Sequence, residues 1–321
     1  MKSIGGYFEL EFRYGEHFHK NAIKLSTARQ CLEYILRVRK YNKIYIPYYT
    51  CEVILEPIKR IGIAYEFYHI DANFNPIFEQ SLKDNEVFLY TNYFGLKQST
   101  VCLLSSQYKN LIIDNAQAFF AEPLDNVDTF YSARKFFGVP DGAYLYIGKS
   151  LEEKLPTYDS INDMKHLLGR LNSSAEEYYK DFQESEQRIS NIGIHKMSIL
   201  SERILESIDY QSIIQKRRFN YMHLFRALDK YNNNHFDILS TTDVPMIYPF
   251  DSDTPELRLT LISNRIYIPQ YWRNVPFWLN NKSTIENKFS NSLCALPIDQ
   301  RYGKEELNYI IDNLLKNKEL L

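Results

Sequence analysis

Two residues of this chain have the types and the setting for chemistry, Asp114 and Lys135. Asp114 closes the apolar run Leu111-Ile112-Ile113. Lys135 follows Ser132-Ala133-Arg134 and precedes Gly138, Asp141 and Gly142, after which Ala143-Tyr144-Leu145-Tyr146-Ile147 forms a second apolar run. An acid at the end of one buried strand and a lysine just ahead of another stand where open α/β sheets place their ligands. A carboxylate that keeps a ring nitrogen protonated and an amine that holds an aldehyde suit pyridoxal phosphate (PLP). On type and spacing alone, the same two residues also read as a turn-capping acid and one solvated lysine among 38 Lys+Arg.

The elements that must position this pair are read from hydrophobic period. Ala28, Leu32, Ile35 and Leu36 recur at helical spacing, with Ser26 or Thr27 as the N-cap. A helix start is also an anion site, although a plain cap is the simpler reading. Lys43 to Pro47 reads as a strand, Glu52 to Ile61 as a helix closing on Gly62, and Ile63 to Ile70 and Glu86 to Tyr90 as further strands. Cys102 to Tyr108 reads as a helix. Strands thus alternate with helices from 25 to 148, the signature of a mostly parallel sheet covered by helices. Two overlapping capping boxes in Ser173-Ser174-Ala175-Glu176-Glu177 predict one long polar helix to Ile189. Helices are expected over Met197 to Ile208 and, amphipathic, over Asp209 to Tyr231. Smaller α+β material follows, with strands at 246–248 and 266–268 and helices at 255–263 and 304–315. The expected division is an N-terminal arm (1–20), a large domain (21–205) and a small C-terminal domain (206–321).

Composition narrows the classes. The 321 residues are 45% hydrophobic, enough for a large packed core. A formal net charge of −2 gives no basic excess for nucleic acid, and no apolar run is long enough to span a membrane. Glu9 and Glu11 come too early for a signal peptide. Cys31, Cys51, Cys102 and Cys294 form no metal-binding pattern and read as reduced cytoplasmic thiols. His17 and His19 read as a surface pair rather than a metal site. No dinucleotide fingerprint and no P-loop occurs.

Several motifs then coincide in order: Ser26-Thr27-Ala28, Pro47-Tyr48-Tyr49-Thr50, Thr91-Asn92-Tyr93-Phe94-Gly95, Ile112-Ile113-Asp114-Asn115-Ala116-Gln117-Ala118, Lys135 with Gly138, Asp141 and Gly142, and Leu296-Pro297-Ile298. In this the sequence resembles the DegT/StrS family of PLP-dependent sugar aminotransferases over nearly its whole length. The resemblance implies an α/β fold of the fold type I PLP-dependent transferases, with a smaller C-terminal α+β domain. It implies that Lys135 and Asp114 are catalytic, Lys135 on the cofactor aldehyde and Asp114 on the ring nitrogen. Ser26, Thr27, Ala28 and Ser132 would then face the phosphate, Gln117 the ring hydroxyl, and Tyr49 or Cys51 the ring face. It implies a homodimer with sites at the subunit interface. The reaction it implies passes an amino group from an amino-acid donor such as glutamate to a nucleotide-linked keto-sugar.

Three positions depart from the family pattern. Phe130 stands where the family has a serine, Cys51 where it has a stacking aromatic, and Ile194 where an asparagine reaches the neighbouring subunit's phosphate. They keep open other amine chemistry on the same cofactor, or a non-catalytic binding or scaffold protein on the same fold. Trp272 and Trp278 are expected to pack, with a pocket lining as the alternative.

Overall fold

The computed structural model describes residues 4–316 except 191, 235, 237, 238 and 253. Eight strands form one sheet: β1 (Ile23–Leu25), β2 (Lys43–Pro47), β3 (Ala64–Ile70), β4 (Pro76–Ile77), β5 (Glu86–Thr91), β6 (Leu111–Asn115), β7 (Asp128–Ser132) and β8 (Ala143–Tyr146). Their order is β1-β8-β7-β6-β5-β2-β3-β4. The run β3-β2-β5-β6-β7 is parallel, and β8, β1 and β4 are antiparallel to their neighbours. The chain lays β3 on one side of β2 and β5 on the other. The sheet order therefore reverses between β2 and β5, and such a reversal leaves a crevice at the strands' carboxyl ends.

Alternation along the strands assigns the two faces. Ile44, Ile46, Val87, Leu89, Ile112, Phe130 and Leu145 point to one face, where α1 (Ala28–Arg39) and α2 (Leu55–Ile61) cover them. Tyr45, Phe88, Tyr90, Leu111, Ile113, Tyr131 and Tyr144 point to the other. There α3 (Gln98–Gln107) and C-terminal segments close over an aromatic-rich layer. Every residue of β5 is buried, as a central parallel strand covered on both faces requires.

After β8 the chain turns helical: α4 (Lys165–Asn172), α5 (Tyr179–Ser190), α6 (Ile199–Glu206) and α7 (Tyr210–Leu228). The single long helix expected up to Ile189 is two. Ser173 is the C-cap of α4, in extended conformation, so the first capping box ends one helix and the chain bends before α5 begins. A second sheet pairs β9 (Ile247–Asp251) with β10 (Leu293–Pro297). It shares a core with α7, α8 (Glu256–Ser263) and α11 (Lys304–Lys316). Two short helices lie between, α9 (Val275–Trp278) and α10 (Ile285–Ser292). Ile266 and Ile268 are buried in this core, yet 266–268 forms no strand. Alternating burial alone satisfies the pattern without a ladder.

The two N-terminal histidines are buried, against the expectation of a surface pair. His19 donates from Nε2 to the Phe119 carbonyl at 2.7 Å, and His17 Nδ1 lies 2.6 Å from the Tyr144 hydroxyl. His17, Glu202 and Glu206 form a group able to hold a metal, but Lys24 Nζ stands 3.3 Å from His17 Nε2 and pairs with Glu202, so a cation already serves it. The four cysteines are free thiols, and no helix among the described residues is long and apolar enough to cross a membrane.

Candidate active site

A cavity of about 320 Å³ opens at the carboxyl ends of β6 and β7, below the start of α1, large enough for a small cofactor. Asp114, Ala116, Phe130, Ser132, Arg134 and Lys135 form its floor and one wall; Thr27, Ala28, Arg29 and Leu32 come from α1. Thr50, Cys51, Val53 and Ile54 follow β2, and Phe182 and Glu186 reach in from α5.

The floor follows from strand period. Asp114 pairs in register with Phe130 across β6 and β7. Phe130 and Ser132 are two apart on β7, so both face the cavity while Tyr131 points to the opposite core. Asp114 Oδ1 accepts from the Ala116 N–H at 2.8 Å, which fixes the carboxylate at the strand end. Burial raises its pKa above the ordinary aspartate value, while the Lys135 charge and the Ala116 N–H pull it back down. A cationic partner on the free oxygen would favour the ionised form.

Lys135 closes a 3₁₀ turn, Ala133–Lys135. Gly142 fixes that turn from behind: its carbonyl accepts from the Ala133 N–H at 3.0 Å and its N–H donates to the Ser26 carbonyl at 2.7 Å. Its φ of +135° is backbone that residues with a side chain rarely adopt, and a Cβ there would touch Ala133, Leu205 and Met197 at ordinary contact distance, so the backbone is what requires glycine. One glycine thus ties the lysine turn to the approach of α1. Ahead of the turn, Gln300 Nε2 donates to the Phe136 carbonyl at 2.7 Å, and the buried Arg217 guanidinium lies 4.6 Å over the Phe136 ring.

Helix α1 begins at the cavity. Thr27 is its N-cap, the hydroxyl accepting from the Gln30 N–H at 3.3 Å, and no acid stands in the first turn. The positive end of the helix is unopposed by its own side chains, as an anion site needs. Ser132, which lines the same cavity, makes no side-chain hydrogen bond among the described residues.

The cavity therefore gathers Asp114, Lys135, Thr27, Ala28, Cys51 and Ser132, and leaves three expected residues outside it. Ser26 donates its hydroxyl to Gln30 Oε1, which also receives the His195 N–H, so it braces α1 instead. Tyr49 is fully buried in the aromatic core against Trp272, 4.9 Å between ring centroids, and cannot cover a ring in the cavity; Cys51 is what faces it. Gln117 Oε1 accepts from the Phe94 N–H at 3.0 Å and serves the 93–95 turn; its Nε2 is buried without a partner. Ile194 packs in its own chain's core beside Leu25 and Leu145. Trp272 and Trp278 pack, Trp278 at 4.9 Å from Phe67. Arg29, Arg134, Phe182 and Glu186 were not foreseen. The α5 pair is one helical turn apart and faces the cavity, but no local sequence signal tells which face of α5 that is.

No protein-family model matches the sequence, and no curated protein matches it either. Solved structures do. Spr1654 from Streptococcus pneumoniae, assigned as a sugar aminotransferase, matches in its PMP form at 15% identity over 94% of this chain and 88% of its own, with a TM-score of 0.67. The sugar aminotransferase CalS13 from Micromonospora echinospora matches at 10% identity over 91% and 86%, TM-score 0.62. A DegT DnrJ EryC1 StrS aminotransferase from Brucella abortus matches at 12% identity over 92% and 85%, TM-score 0.59. The chain has the fold of these proteins, the α/β fold type I of PLP-dependent transferases. At such identities the likeness is one of fold.

Proposed function

We propose that the chain is a PLP-dependent aminotransferase that transfers an amino group from an amino-acid donor to a keto-sugar. The observation that carries this is the convergence of Asp114, Lys135 and the start of α1 on one cavity. The residues present fit the cofactor. The Asp114 carboxylate suits a protonated ring nitrogen, the α1 start with Thr27 and Ser132 suits a phosphate, and Lys135 Nζ suits an aldehyde carbon. Bound there, PLP supplies the aldehyde that takes up an amine and the ring that accepts electrons from the carbon being deprotonated. Lys135 Nζ is the base placed to take a proton at the donor's α-carbon and to return one to the product. Asp114 holds the ring-nitrogen proton in place. Phe130, Leu32, Val53 and Ile54 keep that side of the cavity apolar and limit water.

Solved sugar aminotransferases of the same fold support the acceptor class, and glutamate is the donor and a nucleotide-linked keto-sugar the acceptor we infer. The division at 20 and 205 goes with this reading, the cavity lying within 21–205. A homodimer goes with it too. Residues 4–16 form no helix or strand and leave Ile4, Tyr7, Phe8, Leu10 and Tyr14 exposed, a strip suited to lie on a second copy. Adding glutamate to the PLP-loaded protein should convert the cofactor to its aminated form with loss of the visible band. No conversion with any amino donor would move the assignment to other amine chemistry, and failure to take up PLP would favour a binding or scaffold role.

A further inference from the structure

The cavity contains two arginines that the chemistry above leaves idle. Arg29 has no nitrogen buried without a partner: its Nη1 lies 3.0 and 2.8 Å from the two Glu56 oxygens and 2.7 Å from Ser190 Oγ. Arg134 has one. Its side chain is 16% exposed, its Nη2 donates to Glu186 Oε1, and its Nε is buried with no acceptor. Nε and Nη2 are the two prongs of the guanidinium's side-on fork, which matches both oxygens of one carboxylate. Here a single glutamate oxygen takes one prong, and the other is desolvated and unused, an arrangement that leaves free energy for a better ligand.

Glu186 lines the same cavity, so its carboxylate stands where a reactant's carboxylate could. Arg134 is next to Lys135 in sequence. A small molecule bringing its amine to Lys135 Nζ therefore brings a carboxylate on the neighbouring carbon within the reach of the next side chain. The other charged parts of the site have matches: Asp114 for a ring nitrogen, the start of α1 and Ser132 for a phosphate. The anion still without a counter-charge is the α-carboxylate of the amino-acid donor. We propose that Arg134 is the receptor for that carboxylate and that Glu186 is its internal stand-in, displaced when the donor enters. Phe182, one turn earlier on α5, lines the cavity beside Glu186, while Arg188 on Asp163 and Asp181 on Lys165 hold the helix in place. This specificity role rests on the aminotransferase reading.

The test uses glutarate, a dicarboxylate without an amine, titrated by calorimetry into the PLP-loaded full-length protein. Arg134→Gln should weaken glutarate binding about tenfold or more, and Arg134→Lys should restore part of it. Glu186→Gln should tighten it several-fold, because the competing anion is gone. In the glutamate reaction the same order should appear in KM. Glutarate binding unchanged in Arg134→Gln, or not tightened in Glu186→Gln, overturns the proposal. So does displacement of glutarate by inorganic phosphate at equal concentration, which would make a phosphate the anion read. A protein that never takes up PLP ends the aminotransferase reading instead, and the same titration on cofactor-free protein still reports on Arg134.

Discussion

Asp114 works against the fold that carries it. Burial raises its carboxyl above the ordinary aspartate range, and only the Lys135 charge and one backbone N–H pull back. An acid whose native pKa exceeds its unfolded value binds more protons folded than unfolded. It lowers stability as pH rises from about 3.9 through the native value, and the loss is complete above that. Asp114→Asn keeps an acceptor for Ala116 and removes the charge. The cofactor-free variant should melt higher than the parent at pH 7, and the difference should shrink toward pH 4. Its amination rate should fall roughly 10²-fold or more, since the charge that holds the ring nitrogen is gone. His19 titrates with the opposite sense. Burial pushes its pKa down to about 4, the Phe119 carbonyl opposing and His17 adding to the fall. Its contribution is present above about 6.5 and is lost as pH falls toward 4, about 3 kcal/mol in all. His19→Gln, which keeps a donor for that carbonyl, should flatten the fall of melting temperature across this interval. At this scale the sequence was readable at Asp114, where an apolar run ending on the acid marks a strand end; the strand that carries Ser132, β7, shows no such run, and Ser132 was read from the resemblance alone. It was not readable at Tyr49. The turn after Pro47 has no fixed period, so nothing in the sequence tells whether Tyr49 or Cys51 faces the cavity.

Elements, rather than residues, hold the lysine in place. The 3₁₀ turn carrying Lys135 is pinned by Gly142, just ahead of β8, and by the C-terminal half through the Phe136 carbonyl. Arg217 on α7 is fully buried and donates to the Met246 carbonyl at 3.1 Å besides covering Phe136. Removing Gln300 by Gln300→Ala should cost about 1 kcal/mol, and Arg217→Met, which leaves buried carbonyls unpaired, about 3 kcal/mol, both read from urea midpoints at unchanged slope. The two should also slow uptake of PLP in proportion to how far the turn loosens. The alternation of strands and helices up to β8 was legible because the central strands β2, β5 and β6 are largely apolar, α1 carries a hydroxyl N-cap and α2 closes on Gly62. The break between α4 and α5 was not. Capping boxes mark starts, and a serine that ends one helix in extended conformation looks the same in sequence as one that begins the next.

The whole molecule sets a smaller core beside a larger one: the eight-stranded sheet supplies the cavity, and the C-terminal half braces the lysine turn through Phe136. The order of motifs along the chain was enough to read that plan, because each marks a strand end in a sheet whose topology is fixed by parallel crossovers. The closure from α5 was hidden, since it depends on a helix some fifty residues downstream folding back over the cavity. If residues 4–16 lie on a second copy, a variant lacking residues 1–14 should elute as a smaller species than the full chain, with its PLP band weakened where the site borders the partner. The central claim is that Lys135 holds the cofactor, and one measurement tests it most directly. Protein purified with PLP is treated with borohydride and digested, and the peptides are weighed. The account predicts a pyridoxyl group on Lys135 and none on the protein from Lys135→Ala, with loss of the visible band only in the parent. A label on another lysine, or an unchanged band in Lys135→Ala, would contradict it.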